Sequence, residues 1–353
     1  LHCPENKKLQ EIFDRIETCL QNGLPFAIYR KPNDTELLAV FQSNGELVFS
    51  TDFSEKGFVF APFDKEDEAV LVRPDDFWKG AFNSENPNTI NNGALDESGK
   101  DVHVNLVKNG IKEIQKGRLQ KVVLSRKIEV PLTKSPINIF KTLLAKYPNA
   151  FGYLFHHPKV GIWCGATPET LVKVKNKELL TMALAATLPY KKEERPKWGS
   201  KEIEEQQMVS EYIGDKLAHT MEHLEMDEVE SVRAGNLWHL RSEIRGTMLP
   251  NIKTMEVVMA LHPTPAVCGI PTEEAKQFIQ SNETYQRTYY TGFLGELNLG
   301  QQGETSLYVN LRCMELKDGT ASIFVGGGIT EASDPESEWI ETQNKSKTML
   351  GIL

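Results

Sequence analysis

The sequence predicts an α+β fold, and three observations carry that expectation. Short strands separated by turn residues form hairpin-like groups toward both ends of the chain. Helices of amphipathic spacing lie between and around them, and internal repeats and low-complexity tracts are absent. The 353 residues could fill two or three average domains or one large α+β domain. Apolar content of 40% and charged content of 25% are ordinary for a soluble globular protein. The net charge of −9 argues against a nucleic-acid-binding surface. No apolar run approaches the roughly 20 residues of a spanning helix, so no membrane partner is expected. The five cysteines (Cys3, Cys19, Cys164, Cys268, Cys313) are scattered and form no C-x-x-C pair or Cys/His cluster. That pattern disfavours zinc and a disulfide framework and fits a reducing cytoplasm. Leu1-His2-Cys3-Pro4-Glu5 has no basic region leading into an apolar core, so it is not read as a signal peptide; it lacks a Met, which suggests a trimmed start.

Leu9, Ile12, Phe13, Ile16 and Leu20 recur at helical spacing, and Gly23 follows as a stop. Phe26–Tyr29, Glu36–Phe41, Leu47–Ser50 and Gly57–Ala61 read as strands of antiparallel hairpins. Nothing in residues 1–100 has catalytic spacing, and this part is expected to be structural. Asn83–Asp101 is rich in Asn, Gly and Ser and reads as a surface loop. A helix is expected over Val102–Lys116, stopped by Gly117, and then a strand over Gln120–Val130. Lys121 thereby enters a half-buried strand, where a lysine ordinarily snorkels to solvent. A helix over Ile137–Lys146 precedes a hairpin, Phe151–His156 with Val160–Trp163. Glu169 follows Pro168 at a small-residue turn into the strand Thr170–Val174. The strand Leu179–Ala185 ends at Ala185-Ala186-Thr187, and a basic loop runs to Trp198-Gly199.

Ser200 can cap a helix running to about His223, with Met208, Val209, Tyr212 and Ile213 on its apolar stripe. Glu205 falls near the centre of that stripe, and a carboxylate so placed needs a partner or a metal. Val229–Val232 and Leu237–Gly246 read as strands, Thr254–Leu261 as a helix ending at His262-Pro263-Thr264-Pro265, and a further helix begins at Thr272. Phe293–Leu297, Ser306–Glu315 and Ala321–Val325 form a meander, with Arg312 mid-strand and expected to face something acidic. Gly326-Gly327-Gly328 then ends the last strand, where absent Cβ atoms let a ligand approach backbone N–H groups. Asp334-Pro335-Glu336 opens a helix on which Glu338, Glu341 and Lys345 share one face. That face is either a solvated Glu–Lys surface or a site for Mg²⁺ and an acidic small molecule.

From about residue 100 onward, these pieces resemble the chorismate-utilising enzymes, most closely the isochorismate synthases of menaquinone and siderophore pathways. The motifs, in the family's order, begin with Gln120 to Arg126, Gly165 to Glu169, Lys201 to Glu205 and Leu237 to Leu240. Leu261 to Pro265, Val309 to Cys313, the triple glycine and Trp339 to Thr342 complete them. The resemblance implies a single α+β domain of antiparallel sheets packed face to face, with helices outside and the active site in a cleft. Residues 1–100 would be a strand-rich part of that domain, and 101–353 the chorismate-binding catalytic region.

By the same resemblance, Lys121 matches the base that activates water for attack at C2 of chorismate. Glu169 matches the acid that protonates the departing C4 hydroxyl, and His262 a residue near that hydroxyl. Glu205 and Glu341, with Glu338 beside them, match Mg²⁺ ligands. Arg312, Lys345 and the backbone of Gly326, Gly327, Gly328 and Ile329 match the cradle for the substrate carboxylates, and Ala185 and Thr187 fall in the same binding wall. Amino-transferring relatives such as anthranilate synthase carry Gln where Lys121 stands, so the nucleophile implied is water, with no glutamine amidotransferase subunit and a monomer as the default. Aminodeoxychorismate synthases use a lysine at the position of Ala185. Salicylate synthase and a catalytically silent chorismate binder remain as alternatives. Two departures bear on the latter: Ala186 replaces a Gly, with no Arg until Arg195, and Gln206 stands where a His is common.

Overall fold

The structure, a computed structural model, describes residues 3–82, 97–190, 195–235, 237–300 and 303–353. After a two-residue strand β1 (Glu5–Asn6), Ile12, Phe13, Ile16 and Cys19 give α1 (Leu9–Asn22) one buried face, and Gly23 ends it in the left-handed region at φ 63°. Then come β2 (Phe26–Arg30), β3 (Glu36–Phe41), β4 (Val48–Phe49), β5 (Gly57–Ala61), β6 (Val70–Val72) and β7 (Asp76–Ala81). Of these, β1, β6 and β7 are not anticipated by the sequence pattern. The expected loop at Asn83–Asp101 falls mostly outside the described residues, and its last two positions already belong to α2 (Lys100–Gln115).

The middle of the chain supplies β8 (Lys121–Pro131), α3 (Pro136–Lys146), β9 (Phe151–His157), β10 (Gly161–Thr167), β11 (Thr170–Lys175) and β12 (Glu178–Pro189). It continues with α4 (Ser200–Leu217), β13 (Met221–Met226), β14 (Glu230–Ala234), β15 (Leu237–Met248), α5 (Thr254–Leu261), β16 (Gly269–Ile270) and α6 (Thr272–Asn282). The last elements are β17 (Phe293–Leu297), β18 (Thr305–Val309), β19 (Cys313–Lys317), β20 (Thr320–Ile329) and α7 (Pro335–Leu350). Asp334 caps α7 through its carboxylate, which accepts from the Ser337 amide, with Pro335 in the first turn.

These strands make two large sheets. One runs β1-β7-β3-β2-β9-β10-β19-β20-β8-β16, antiparallel except for the β1–β7 pair. The other runs β13-β15-β12-β11-β18-β17-β5-β6-β4, with β14 also on β15. Their inner faces meet through aromatic rings: Phe151 stacks on Tyr308 at 4.0 Å, Phe60 meets Phe155 at 4.6 Å, and Tyr29 meets Phe58 at 5.0 Å. Helices cover the outer faces. α1, α3 and the end of α7 pack on the first sheet, and α4 and α5 on the second. No helix among the described residues is long and apolar enough to cross a membrane.

Four expectations fail for identifiable reasons. The helix from Ser200 stops at Leu217 rather than near His223, because Met221–Met226 pairs with β15. Ser306–Glu315 is two strands, not one: β18 belongs to the second sheet and β19 to the first, and Arg312 turns the corner at φ 47°. The triple glycine does not end its strand, since Gly326, Gly327 and Gly328 stay paired with Ser125, Leu124 and Val123 of β8. Lys121 does not snorkel; it is 0% exposed.

Candidate active site

The glycines stay in the strand, and the space their missing side chains leave explains them. A Cβ on Gly328 would overlap Glu205 Oε1 and come within 3.0 Å of Lys121 Cε; one on Gly327 would meet Glu338 Oε2 at 3.1 Å. β19 pairs with β20 only as far as Ile323, so the glycine segment has no β19 partner on that edge. Beside it opens a cleft floored by Phe324 and the three glycines and walled by Glu169, Glu205, Arg312, Glu341 and Lys345. Ala185 and Thr187 also line it. They flank a β-bulge of β12 at which Ala186 takes φ 60°, a conformation that glycine adopts without strain.

Three glutamates and three lysines surround the glycines in pairs. Lys121 Nζ lies 2.9 Å from Glu205 Oε1, Lys201 Nζ 2.5 Å from Glu338 Oε1, and Lys345 Nζ 2.6 Å from Glu341 Oε1. Lys345 also donates to Gly326 O at 2.9 Å, which ties α7 to the strand. The Lys121 Nζ–Glu205 contact lacks hydrogen-bond geometry, and among the described residues this buried nitrogen has no other hydrogen-bond partner. Burial pushes the Glu205 carboxyl up, but Lys121, followed by Lys201 and Lys345, outweighs it and leaves it lowered. Glu338 is the reverse case: burial, then the neighbouring Glu341 carboxylate, raises it to about 7 despite Lys201. Among the described residues no group meets its buried Oε2 with hydrogen-bond geometry.

Across the cleft, Glu169 is 4% exposed, and its carboxyl takes no ion pair or hydrogen bond among the described residues. Burial raises it to about 8, against the pull of Lys121, Lys345 and Arg312. A carboxyl in that state is a proton donor near neutral pH.

Arg312 forms no ion pair among the described residues, and the carboxyl whose charge acts on it is that of Glu169, on the same cleft. Arg312 donates to Ala234 O at 3.1 Å and approaches His239 Nε2 at 2.6 Å. His239 Nδ1 is 2.8 Å from Ala186 O. A carbonyl can only accept, so Nδ1 carries the proton and Nε2 receives the Arg312 N–H. Burial, then Arg312 and Lys345, hold the His239 imidazole well below its usual range, consistent with this neutral ring. Burial lowers Arg312 to about 10, which still leaves it a cation near neutral pH. Its positive charge therefore faces the cleft uncancelled.

Lys121 and Glu338 stand just behind the lining, against Glu205 and Gly327. One expected residue, His262, is not brought to the cleft. His262 Nε2 contacts Pro62 O at 3.0 Å and its ring stands edge-on to Phe293, because the C-terminal end of α5 turns it toward β17. The Ile329 side chain packs with α2 and α6, and it was the backbone of this residue that the resemblance implied for the cradle. His239 and Lys201 carry contacts that the sequence reading did not assign, and their only sequence signal was membership of the motifs around them.

A family model described as chorismate binding enzyme matches residues 74–353. The chain belongs to the chorismate-binding enzyme family. Similar proteins include the Bacillus subtilis isochorismate synthase DhbC, 30% identical over 321 residues that span 82% of this chain and 78% of that one. The Escherichia coli isochorismate synthase MenF is 30% identical over 259 residues, 70% of this chain and 59% of its own. Among solved structures, a Bacillus anthracis protein assigned as a 2,3-dihydroxybenzoate-specific isochorismate synthase superposes with a TM-score of 0.80 at 26% identity. That alignment covers 95% of this chain and 98% of the other. In this family member the paired glutamates, Glu169 and Arg312 all meet around one cleft between the sheets.

Proposed function

We propose that the chain is an isochorismate synthase, converting chorismate to isochorismate by addition of water at C2 and loss of the C4 hydroxyl. The observation that carries this reading is Lys121: a fully buried amine, at the position where amino-transferring relatives have Gln, close enough to act electrostatically on Glu169. Lys121 is the base for the incoming water and Glu169 the acid for the departing hydroxyl. A base and an acid on separate residues let one hydroxyl leave as the other arrives. Arg312, oriented by His239, and Lys345 take the substrate carboxylates together with the backbone of the glycine strand. Ala185 and Thr187 bound the ring. His262 has no part in this scheme, since its ring is committed elsewhere.

Glu205, Glu338 and Glu341 would hold Mg²⁺. The donor set is all carboxylate oxygen, as that ion prefers, and among the described residues Glu338 Oε2 is a buried oxygen without a hydrogen-bond partner of good geometry. Among the described residues no group of three or more ligating side chains forms a ready-made cage, and each of these carboxylates now holds a lysine. Cation and lysines therefore compete for the same oxygens. When bound, the ion supplies charge neutralisation for a substrate carboxylate. Water as the nucleophile requires no glutaminase subunit, and a cytoplasmic monomer fits the reading.

Product analysis tests it. Purified protein is incubated with chorismate, with Mg²⁺ or with EDTA, and the products are separated by chromatography with mass detection. Mg²⁺-dependent isochorismate, equal in mass to chorismate, is expected. Salicylate with pyruvate, or saturable binding without turnover, would overturn the assignment.

A further inference from the structure

Behind Arg312 lies a second pocket, which shares Pro168 and Arg312 with the active cleft. Lys146, Arg233 and Arg312 line it, and among the described residues no aspartate or glutamate does. Among the described residues all three cations are met only by neutral groups. Lys146 Nζ donates to Gly351 O at 2.6 Å, Arg233 Nε donates to Gly235 O at 2.9 Å, and Arg312 has Ala234 O and His239. The Arg233 guanidinium sits 3.7 Å from the Tyr190 ring centroid, which fixes it and leaves its terminal nitrogens without an acceptor among the described residues. Other cations of this chain take carboxylates, as in Arg241–Glu230, Arg245–Asp227 and Lys276–Asp64, or carbonyls singly, as Arg30 and Lys177 do; here three cations without a carboxylate line one space. Burial, followed by the nearby Lys134, pushes the Lys146 amine down, as expected for a cation without a counter-charge.

A concentration of uncompensated positive charge in a chain of net charge −9 makes an attractive field for a small anion. A guanidinium fork flanked by an ammonium suits a carboxylate. We propose that this cavity is a second carboxylate-binding site in series with the cleft, holding the substrate dianion before Arg312 passes it inward. The inference rests on chorismate being the substrate. Arg312 provides the continuity, because the same guanidinium borders both spaces. A small regulatory carboxylate would use the same chemistry, and the test separates the two sources.

Arg233→Gln and Lys146→Gln lie outside the residues assigned to the reaction. They are compared with the unaltered protein by chorismate turnover across ionic strength, and by calorimetric titration with benzoate, a carboxylate that is not turned over. The expected result is a KM raised about tenfold with kcat unchanged, a weaker salt dependence of KM, and loss of one of two benzoate sites. Loss of that benzoate site with KM unchanged keeps the site but assigns it to a regulatory carboxylate. Unchanged KM, salt dependence and benzoate stoichiometry overturn the proposal. So does a fall in kcat alone, which would make these residues mere supports for Arg312. Should the unaltered protein leave chorismate unconverted, the functional reading fails by itself, and the benzoate titration still decides the cavity.

Discussion

Gly328→Ala separates stability from activity at the centre of the site. The backbone there is extended and paired with Val123, so alanine meets no conformational objection. Its methyl group, however, falls on Glu205 Oε1 and 3.0 Å from Lys121 Cε. Both are ends of flexible side chains, and the carboxylate must retreat by about 1 Å to reach an ordinary van der Waals gap, a displacement that can cost roughly 10²-fold in rate. Overpacking of this kind costs about 1–3 kcal/mol. With an unfolding entropy of roughly 2.1 cal/mol/K per residue over a chain this long, that is a fall in Tm of only about 1–4 °C. Gly326→Ala is the control. Its methyl group would meet the backbone oxygen of Leu124 at 2.8 Å, which cannot swing aside, so the larger loss there is of stability. The assay is isochorismate formation at saturating chorismate and Mg²⁺ alongside thermal unfolding. If Gly328→Ala keeps kcat within about twofold of the parent while folding normally, the Lys121–Glu205 arrangement is not what the glycine protects, and the reasoning fails.

Lys121→Gln is expected to abolish hydration of chorismate and leave the fold intact, since an amide cannot act as a base; turnover at the parental rate would remove Lys121 from its role. Burial raises the Glu169 carboxyl from 4.5 to about 8, so the folded protein holds this proton more tightly than the unfolded chain. The resulting stability is complete below about pH 4.5 and is lost as pH rises toward 8. Glu169→Gln should therefore raise Tm at pH 9 and not at pH 5, while eliminating turnover at both; a pH-independent change in Tm would contradict the buried acid. Glu341→Ala should raise the Mg²⁺ concentration for half-maximal turnover by about tenfold or more, and an unchanged titration would count against its being a ligand.

Where burial is decided locally, it could be read along the chain. The stripe Ile12–Phe13–Ile16 and the capping pair Asp334–Pro335 gave α1 and α7 their places, and Glu205 stood out because a carboxylate interrupted an apolar helix face. Lys121 was harder, since the group that lets it be buried, Glu205, lies on a distant helix. The corner at Arg312 had no glycine or proline to mark it; the alternation of Ser306–Glu315 reads straight through a change of sheet. Three glycines in a row look like the end of a strand. Only the side chains standing opposite them reveal that they are strand residues stripped of Cβ to make room.

Both sheets are stitched from opposite ends of the chain. β5 lies beside β17, so the pairing Phe293↔Ala61 closes a span of most of the sequence, and β2 must wait for β9. During synthesis the first strands of the second sheet can pair only with one another until Phe293–Leu297 has left the ribosome. Their hydrogen-bonding edges and aromatic faces stay open for that interval. The nascent protein is therefore most vulnerable to aggregation late in translation, and it escapes that hazard only when the strands that build the cleft are in place.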